Sequence, residues 1–325
     1  MMRLLLYSHG PRTDSADGRF REDDVAQRRL TPAYSTRWGS AYEADALEVL
    51  RQLPAESVQL VLTSPPFPLR RKKAYGNVEA AEYVEWFMPF GEEIHRVLRT
   101  DGSFVLDLGG AWNPGSGTRS LYQYELLLRL CKQFFLAQDF YWYNPCKLPT
   151  PAEWVTIRRT RVKDAVNPIW WLSKTKEPQA DNRRVLKPYS RSMRRLLRDG
   201  YDQAMRPSQH EIGPHFRRDN GGAIPPNLLE VPNTRSNDDY FRRCRDAGLP
   251  IHPARFPDAV PEFFIRFLTE PGQLVLDPFA GSNVTGQIAQ QLERKWIAIE
   301  INPDYVAGSM LRFEDALTER KRKAA

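Results

Sequence analysis

Leu274-Val275-Leu276-Asp277-Pro278-Phe279-Ala280-Gly281-Ser282-Asn283-Val284-Thr285-Gly286 is the stretch on which the fold turns. A short apolar strand ends on an acid, a turn of small residues follows, and helical spacing runs from Val284 to Leu292. Trp296-Ile297-Ala298-Ile299-Glu300 then reads as a second strand that closes on a second acid. In α/β folds this order builds a nucleotide pocket: a glycine at the turn lets the backbone approach a ligand, and the later carboxylate accepts both hydroxyls of a ribose. A dinucleotide would want several glycines under its phosphates, and this turn offers Gly281 alone. S-adenosylmethionine lacks phosphates and is cationic at its sulfur and amino group, so it suits the turn better, with Asp277 near the cation and Glu300 on the ribose. An ordinary strand-to-helix turn is the competing reading of this segment alone.

The same grammar extends toward the N-terminus. Val58 to Leu62 is an apolar strand, Ala80 to Leu98 a helix, Gly102 to Leu108 a strand and Leu121 to Phe135 a helix. Phe140 to Tyr143 and Val166 to Leu172 read as strands, and Pro261 to Thr269 as a helix. Alternating strands and helices predict an α/β fold with a mostly parallel sheet covered on both faces. Residues 1–38 mix Gly, Pro, Asp, Arg and Ser without a period and predict an irregular arm. Between Lys174 and Leu249 the alternation fails, and Gly221-Gly222 and Pro225-Pro226 break any element. The chain therefore divides into the arm (1–38), a first half (39–173), an insertion (174–250) and a second half (251–325). The last helix, from about Pro303, turns strongly basic by Arg320-Lys321-Arg322-Lys323.

The first predicted strand runs into Thr63-Ser64-Pro65-Pro66-Phe67. Consecutive prolines remove two donors and stiffen the turn, so nearby carbonyls face outward, with Ser64 as an acceptor and Phe67 as an aromatic plate. Such a loop suits a planar amine. The exocyclic NH2 of a base is a poor nucleophile because its lone pair is delocalised into the ring. Acceptors at Ser64 and the Pro65 carbonyl would align it and favour its pyramidal form while Phe67 stacks on the ring. Asp107 ends the next strand and opens toward the same edge, where it could accept the amine proton or cap the Gly109-Gly110 loop.

Length and composition agree with one large domain carrying an insertion. Of 325 residues 41% are apolar, inside the globular range, and 47 Lys+Arg against 40 Asp+Glu leave +7, which favours a polyanionic partner. Cys131, Cys146 and Cys244 are too far apart for a CxxC metal pair, and their odd number argues against a disulfide framework, so no metal site and a reducing compartment are expected. The start lacks a cleavage-type sequence, and no run of about 18 apolar residues occurs, so a soluble cytoplasmic protein with no membrane partner is expected.

Together these segments resemble the beta group of DNA amino-methyltransferases. The resemblance spans about Pro32 to Arg312 and rests on Thr63 through Phe67 with Arg71-Lys72-Lys73, Lys147-Leu148-Pro149, Arg161 through Val166, Asp219-Asn220-Gly221-Gly222, His252 through Pro257, the Asp277 loop and Glu300. It implies a Rossmann-like S-adenosylmethionine-dependent methyltransferase fold with a mixed, mostly parallel sheet. Motif order would be circularly permuted, with the catalytic loop first, an irregular DNA-recognition lobe next and the cofactor loop last. Ser rather than Asp before Pro-Pro implies N4 of cytosine as the target rather than N6 of adenine. The catalytic group would be Ser64, Pro65, Pro66, Phe67 and Asp107. Asp277, Phe279, Gly281 and Ser282 would surround the cofactor, Glu300 would bind its ribose, Asp45 would face its adenine amine, and His252-Pro253 would sit by its methionine end. Ala44, where the family commonly has Gly, and Asn283-Val284, where it commonly has Gly-Thr, depart from the pattern.

Duplex DNA is then the expected partner, with a base that must leave the helix to reach the site. Arg70, Arg71, Lys72 and Lys73 follow the catalytic loop, and Arg183, Arg184, Arg191, Arg194 and Arg195 lie in an acid-free run of the insertion. These cations are the expected phosphate contacts, with a solvated helix face as the plainer reading. The resemblance further implies a type II restriction-modification setting, a cognate endonuclease at the same site and a possible homodimer. Pro145-Cys146 resembles the nucleophile segment of carbon-5 cytosine methyltransferases, but transfer to an amine needs no thiolate. A DNA-binding regulator that performs no chemistry is the competing class.

Overall fold

Residues 30–68, 78–200, 218–233 and 239–313 are described by the computed structural model. The first half begins with β1 (Tyr34–Ser35), β2 (Gly39–Glu43) and α1 (Ala46–Gln52). β3 (Val58–Thr63), α2 (Tyr83–Val97), β4 (Leu98–Asp107), α3 (Tyr122–Leu130), β5 (Phe135–Tyr143) and β6 (Val166–Ser173) follow. The insertion contributes α4 (Arg191–Asp199), β7 (Leu228–Glu230) and α5 (Asp239–Asp246). α6 (Ala259–Leu268), β8 (Leu274–Asp277), α7 (Val284–Gln291), β9 (Lys295–Glu300) and α8 (Pro303–Met310) complete the second half.

Among the described residues the strands form one sheet in the order β1-β2-β9-β8-β3-β4-β6-β5-β7. β2, β9, β8, β3 and β4 run parallel, whereas β6 is antiparallel to both β4 and β5. This is the expected mixed, mostly parallel sheet. β3 is buried along its whole length because helices cover both faces of a parallel sheet, which explains its continuous apolar character. β8 pairs with β3 even though the whole insertion separates them in sequence, so the two halves share one sheet.

Three expectations are corrected. Helix α3 stops at Leu130, and β5 begins at Phe135, inside the stretch read as helix; Leu127-Leu128 and Phe134-Phe135 carry no period that marks the boundary. The insertion is not wholly irregular, since β7 pairs in parallel with β5 and extends the sheet, with Leu229 buried in the core. The arm prediction fails at its end: Tyr34 packs tilted against Trp296 and Phe313, and its hydroxyl meets Ser309 Oγ at 2.7 Å. Burial pushes that phenol up to about 12. Residues 1–29 and the basic run at 320–323 lie outside the described residues. No helix among the described residues is long and apolar enough to cross a membrane.

Gly39 sits where β2 crosses Trp296 so closely that an added Cβ would lie 2.1 Å from the Trp296 carbonyl oxygen. Because that neighbour is backbone, the strand pair itself would have to part. Gly39→Ala should destabilise the fold by about 1–3 kcal/mol, the range for overpacking. Urea unfolding checks this, and an unchanged midpoint would contradict the close approach.

Candidate active site

Parallel strands deliver their C-terminal ends to one edge of the sheet, and the order in which strands are added reverses between the neighbours β3 and β8: from β3 the chain steps outward to β4 on one side, and from β8 to β9 on the other. A crevice opens at such a switch point. Thr63 Oγ1, at the end of β3, donates to Asp277 Oδ1 at 2.7 Å across 214 residues of sequence. Thr285 Oγ1 donates to the other oxygen at 2.8 Å, and the Phe279 amide to Oδ1 at 3.1 Å. Asp277 is buried, and desolvation raises its carboxyl to about 6, against the lowering effect of those bonds. Its acceptors therefore bind mainly the protein: Asp277 ties the two halves together, where the sequence suggested an open charge for a ligand.

One residue on, Ser64 Oγ donates to Asp107 Oδ2 at 3.0 Å, and Asn167 Nδ2 donates to Oδ1 at 3.3 Å. Asp107 is 2% exposed, and burial raises it to about 7 although Ser64, Asn167 and the charge of Lys147 all pull it down. Phe67 packs so closely on the next loop that a Cβ at Gly109 would come within 2.6 Å of its ring. Gly109 thus sets the position of the aromatic plate.

On the other side of the crevice, Glu300 accepts from the Gly281 amide (Oε2, 2.9 Å) and the Asn302 amide (Oε1, 2.9 Å), and burial raises its carboxyl. Each oxygen keeps acceptor capacity for a further donor. Gly281 has φ +51°, and a Cβ there would meet the His252 ring at 2.9 Å, so both conformation and space require glycine. His252 in turn stands edge-on to Tyr305 at 4.5 Å. Asn283 adopts φ +54° and caps α7 through the Gly286 amide at 3.0 Å. This is a role Asn performs where the family commonly has Gly. Arg312 holds the Ser282 carbonyl at 2.6 Å and its hydroxyl at 3.2 Å. Asp45 caps α1 through the Leu47 amide at 2.8 Å.

One cavity of about 510 Å³ collects Asp45, Ser64, Pro65, Pro66, Phe67, Asp107, His252, Pro253, Asp277, Phe279, Gly281, Ser282 and Glu300. Trp86, Phe90, Lys147, Asn167 and Asn233 line it too, and sequence reasoning missed them. Trp86 and Phe90 are one helical turn apart on α2, a spacing that reads as core; both pack against Phe279, at 5.8 and 5.0 Å. Asn167 had a signal, a lone amide in an otherwise apolar strand. Among the described residues no group of His, Cys, Asp and Glu could hold a metal.

The expected DNA cations fare differently. Arg70, Arg71, Lys72 and Lys73 lie outside the described residues. Arg184 pairs with Glu270 at 2.7 Å and binds the Thr269 carbonyl at 2.9 Å, while Arg183 pairs with Asp181 at 2.8 Å. Thr269 and Glu270 precede β8, so both arginines stand at the sheet edge away from the cavity, and Arg184 is a structural tie rather than a phosphate contact. Arg191, Arg194 and Arg195 are exposed on α4, where Arg195 pairs with Asp199 at 3.5 Å.

A switch-point cavity with a Ser-Pro-Pro-Phe loop on one wall and a Gly281–Glu300 wall opposite defines an amino-methyltransferase site. Residues 58–311 match the model of the DNA methylase family, and the chain belongs to that family. The type II methyltransferase M.PvuII of Proteus hauseri is 53% identical over 298 residues, covering 90% of this chain and 89% of the relative. The solved PvuII DNA methyltransferase (cytosine-N4-specific) has a TM-score of 0.72 at 46% identity, covering 90% of this chain and 95% of that one. The DNA adenine methyltransferase YhdJ of Escherichia coli K12 is 27% identical over 292 residues, 86% of each chain.

The buried acid predicts a pH effect on stability. Folding raises Asp107 from the ordinary 3.8 to about 7, so the folded state holds its proton longer than the unfolded one. The stability this provides is complete below about pH 4 and is lost as pH rises through 7. Asp107→Asn removes that loss, so the melting temperature of the variant relative to the parent should climb from pH 4 to pH 7 and level off above. A pH-independent difference would show that Asp107 stays ionised throughout.

Proposed function

We propose that the protein transfers the methyl group of S-adenosylmethionine to N4 of a cytosine extruded from duplex DNA, within a short specific sequence. The observation that carries this reading is the Ser64–Asp107 hydrogen bond facing the Gly281–Glu300 wall across one cavity. Similarity to an enzyme described as cytosine-N4-specific supports the choice of base.

The cavity suits the cofactor. Its volume lies within the range of small-molecule sites, the spare acceptor positions of Glu300 suit two ribose hydroxyls, and no cradle of glycine amides awaits a phosphate. Asp45 and Phe279 would hold the adenine, and Ser282, His252 and Pro253 the methionine end. Bound there, S-adenosylmethionine supplies an electrophilic methyl group on a sulfonium.

This chain's residues make the amine ready. Because the Ser64 hydroxyl donates its hydrogen bond to Asp107, its lone pairs are free to accept from the amine, and the Pro65 carbonyl offers a second acceptor. Two acceptors restrain both N–H bonds and turn the nitrogen lone pair away from the ring. Phe67 would stack on the base. As the N–C bond forms and the C–S bond breaks, the amine proton becomes acidic; Ser64 accepts it while its own proton passes to Asp107. Asn167 holds Asp107 in place. A protonated Asp107 would instead donate to Ser64 and occupy a lone pair the amine needs, so the reaction requires the ionised form.

The reading extends to the surroundings of the enzyme. Residues 174–250 would form the target-recognition lobe between a catalytic half at 39–173 and a cofactor half at 251–325. A cognate endonuclease would cut the unmodified site in a type II restriction-modification system of a prokaryotic cytoplasm, and a homodimer is the assembly to test.

DNA from a host expressing the protein, digested to nucleosides and weighed, should contain N4-methylcytosine; N6-methyladenine in its place would overturn the base assignment. Ser64→Ala should lower kcat by about 100-fold or more with cofactor affinity unchanged. Glu300→Gln should weaken cofactor affinity with kcat largely kept. The kcat of the parent should rise with pH through a group near 7, in line with the raised Asp107. Equal activity in Ser64→Ala would remove that residue from the mechanism.

A further inference from the structure

The segment 144–165 between β5 and β6 is an arm whose position the sheet register sets. β4 ends at Asp107, which pairs with Ile169, and β5 ends at Tyr143, opposite Val166. The arm therefore leaves the sheet beyond the level of Asp107, on the cavity side, and Lys147 and Asn167 at its two ends line the cavity itself. It is braced against the loop after β4. Trp154 covers Gly117, where a Cβ would come within 3.0 Å of its ring, and Arg161 Nε donates to the Gly117 carbonyl at 3.1 Å.

The charges on this arm are one-sided. Its acids are Glu153 and Asp164, and both are used internally: Glu153 pairs with Arg158 at 2.7 Å, and Asp164 binds Arg119 and accepts from Trp112 Nε1 at 2.7 Å. Arg159, Arg161 and Lys163 are exposed, and among the described residues none of them has an acidic partner. Arg161 and Lys163 are held in place through backbone carbonyls, Lys163 by those of Pro145 and Lys147 at 3.2 Å, yet each keeps further N–H donors. Val162, 87% exposed, and Ile157, 70% exposed, stand among these cations. Apolar side chains left open beside unneutralised cations suit a polyanion with sugar faces, and not solvent.

We propose that the 144–165 arm is a DNA-docking ledge beside the cavity mouth, on which Arg159, Arg161 and Lys163 bind the phosphates flanking the extruded base. The proposal rests on duplex DNA being the substrate, and it moves the phosphate contacts from the arginines near β8 to the edge where the base enters. Arg161 and Lys163, already held by backbone carbonyls, lose little freedom on binding.

Titration of duplex DNA into the full-length protein with S-adenosylhomocysteine present tests the ledge without turnover. Arg159→Ala should raise Kd about three- to tenfold on cognate and unrelated duplexes alike, and lower the slope of log K against log salt by roughly 0.9 for the lost contact. Arg159→Lys should restore most of the affinity, which a folding defect would not allow. Arg183→Ala, at the far edge, should leave Kd unchanged. An unchanged Kd in Arg159→Ala, an equal loss in Arg183→Ala, or a loss confined to the cognate duplex would overturn the ledge. Parent protein that binds duplex without methylating it would overturn the catalytic reading and leave the ledge standing.

Discussion

The bond from Thr63 to Asp277 is the constraint on which the rest of the structure depends. It joins the last residue of the strand that feeds the catalytic loop to the last residue of the strand that feeds the cofactor loop. Thr285 and the Phe279 amide fix the same carboxylate from the helix side. A buried carboxylate is tolerated only when its acceptors are filled, and here filling them registers Ser64 against Gly281. The distance between a nucleophile's acceptor and a methyl donor is thereby set by the sheet and not by a mobile loop, which places the site on rigid elements.

Burial serves a second purpose at Asp107. Desolvation lifts its carboxyl to about 7, close to the pH at which the protein would work, so a small change decides whether it accepts from Ser64 or donates to it. A group whose affinity for a proton matches its surroundings is suited to take one from an amine during methyl transfer. Asn167 and Lys147 belong to the same balance, one through a hydrogen bond and the other through charge. The sequence marks Asn167 only as a lone amide in an apolar strand; that it reaches Asp107 follows from β6 lying beside β4.

Charge behaves less simply than its distribution along the chain suggests. The run from Arg183 to Arg198 contains no acid, yet the acids on either side of it, Asp181 and Asp199, and Glu270 from another element engage several of its arginines. The arm at 144–165 looks more balanced in sequence, but its two acids are consumed internally while Arg159, Arg161 and Lys163 have no acidic partner among the described residues. Cations that no described acid neutralises at the cavity edge matter for a polyanion; a count of basic residues does not locate them.

The amino-acid order by itself determined the alternation of strand and helix, because hydrophobic period and turn chemistry are local. It also marked the short segments on which the proposed chemistry rests: Ser64 through Phe67, Asp107, the Gly281 turn and Glu300 each sit at or just after a strand end, and all meet in one cavity. Boundaries were less legible where apolar residues run on, as at α3 and β5, and a three-residue strand such as β7 was invisible because only its partner β5 makes it a strand. Which face of α2 supplies Trp86 and Phe90 to the cavity, that Asp277 is bonded by two threonines where it lines the cavity, and which cations lack an acidic partner among the described residues were decided only by the tertiary structure. Those properties depend on the distance between residues far apart in sequence, and pairing across the sheet, not period along the chain, sets that distance.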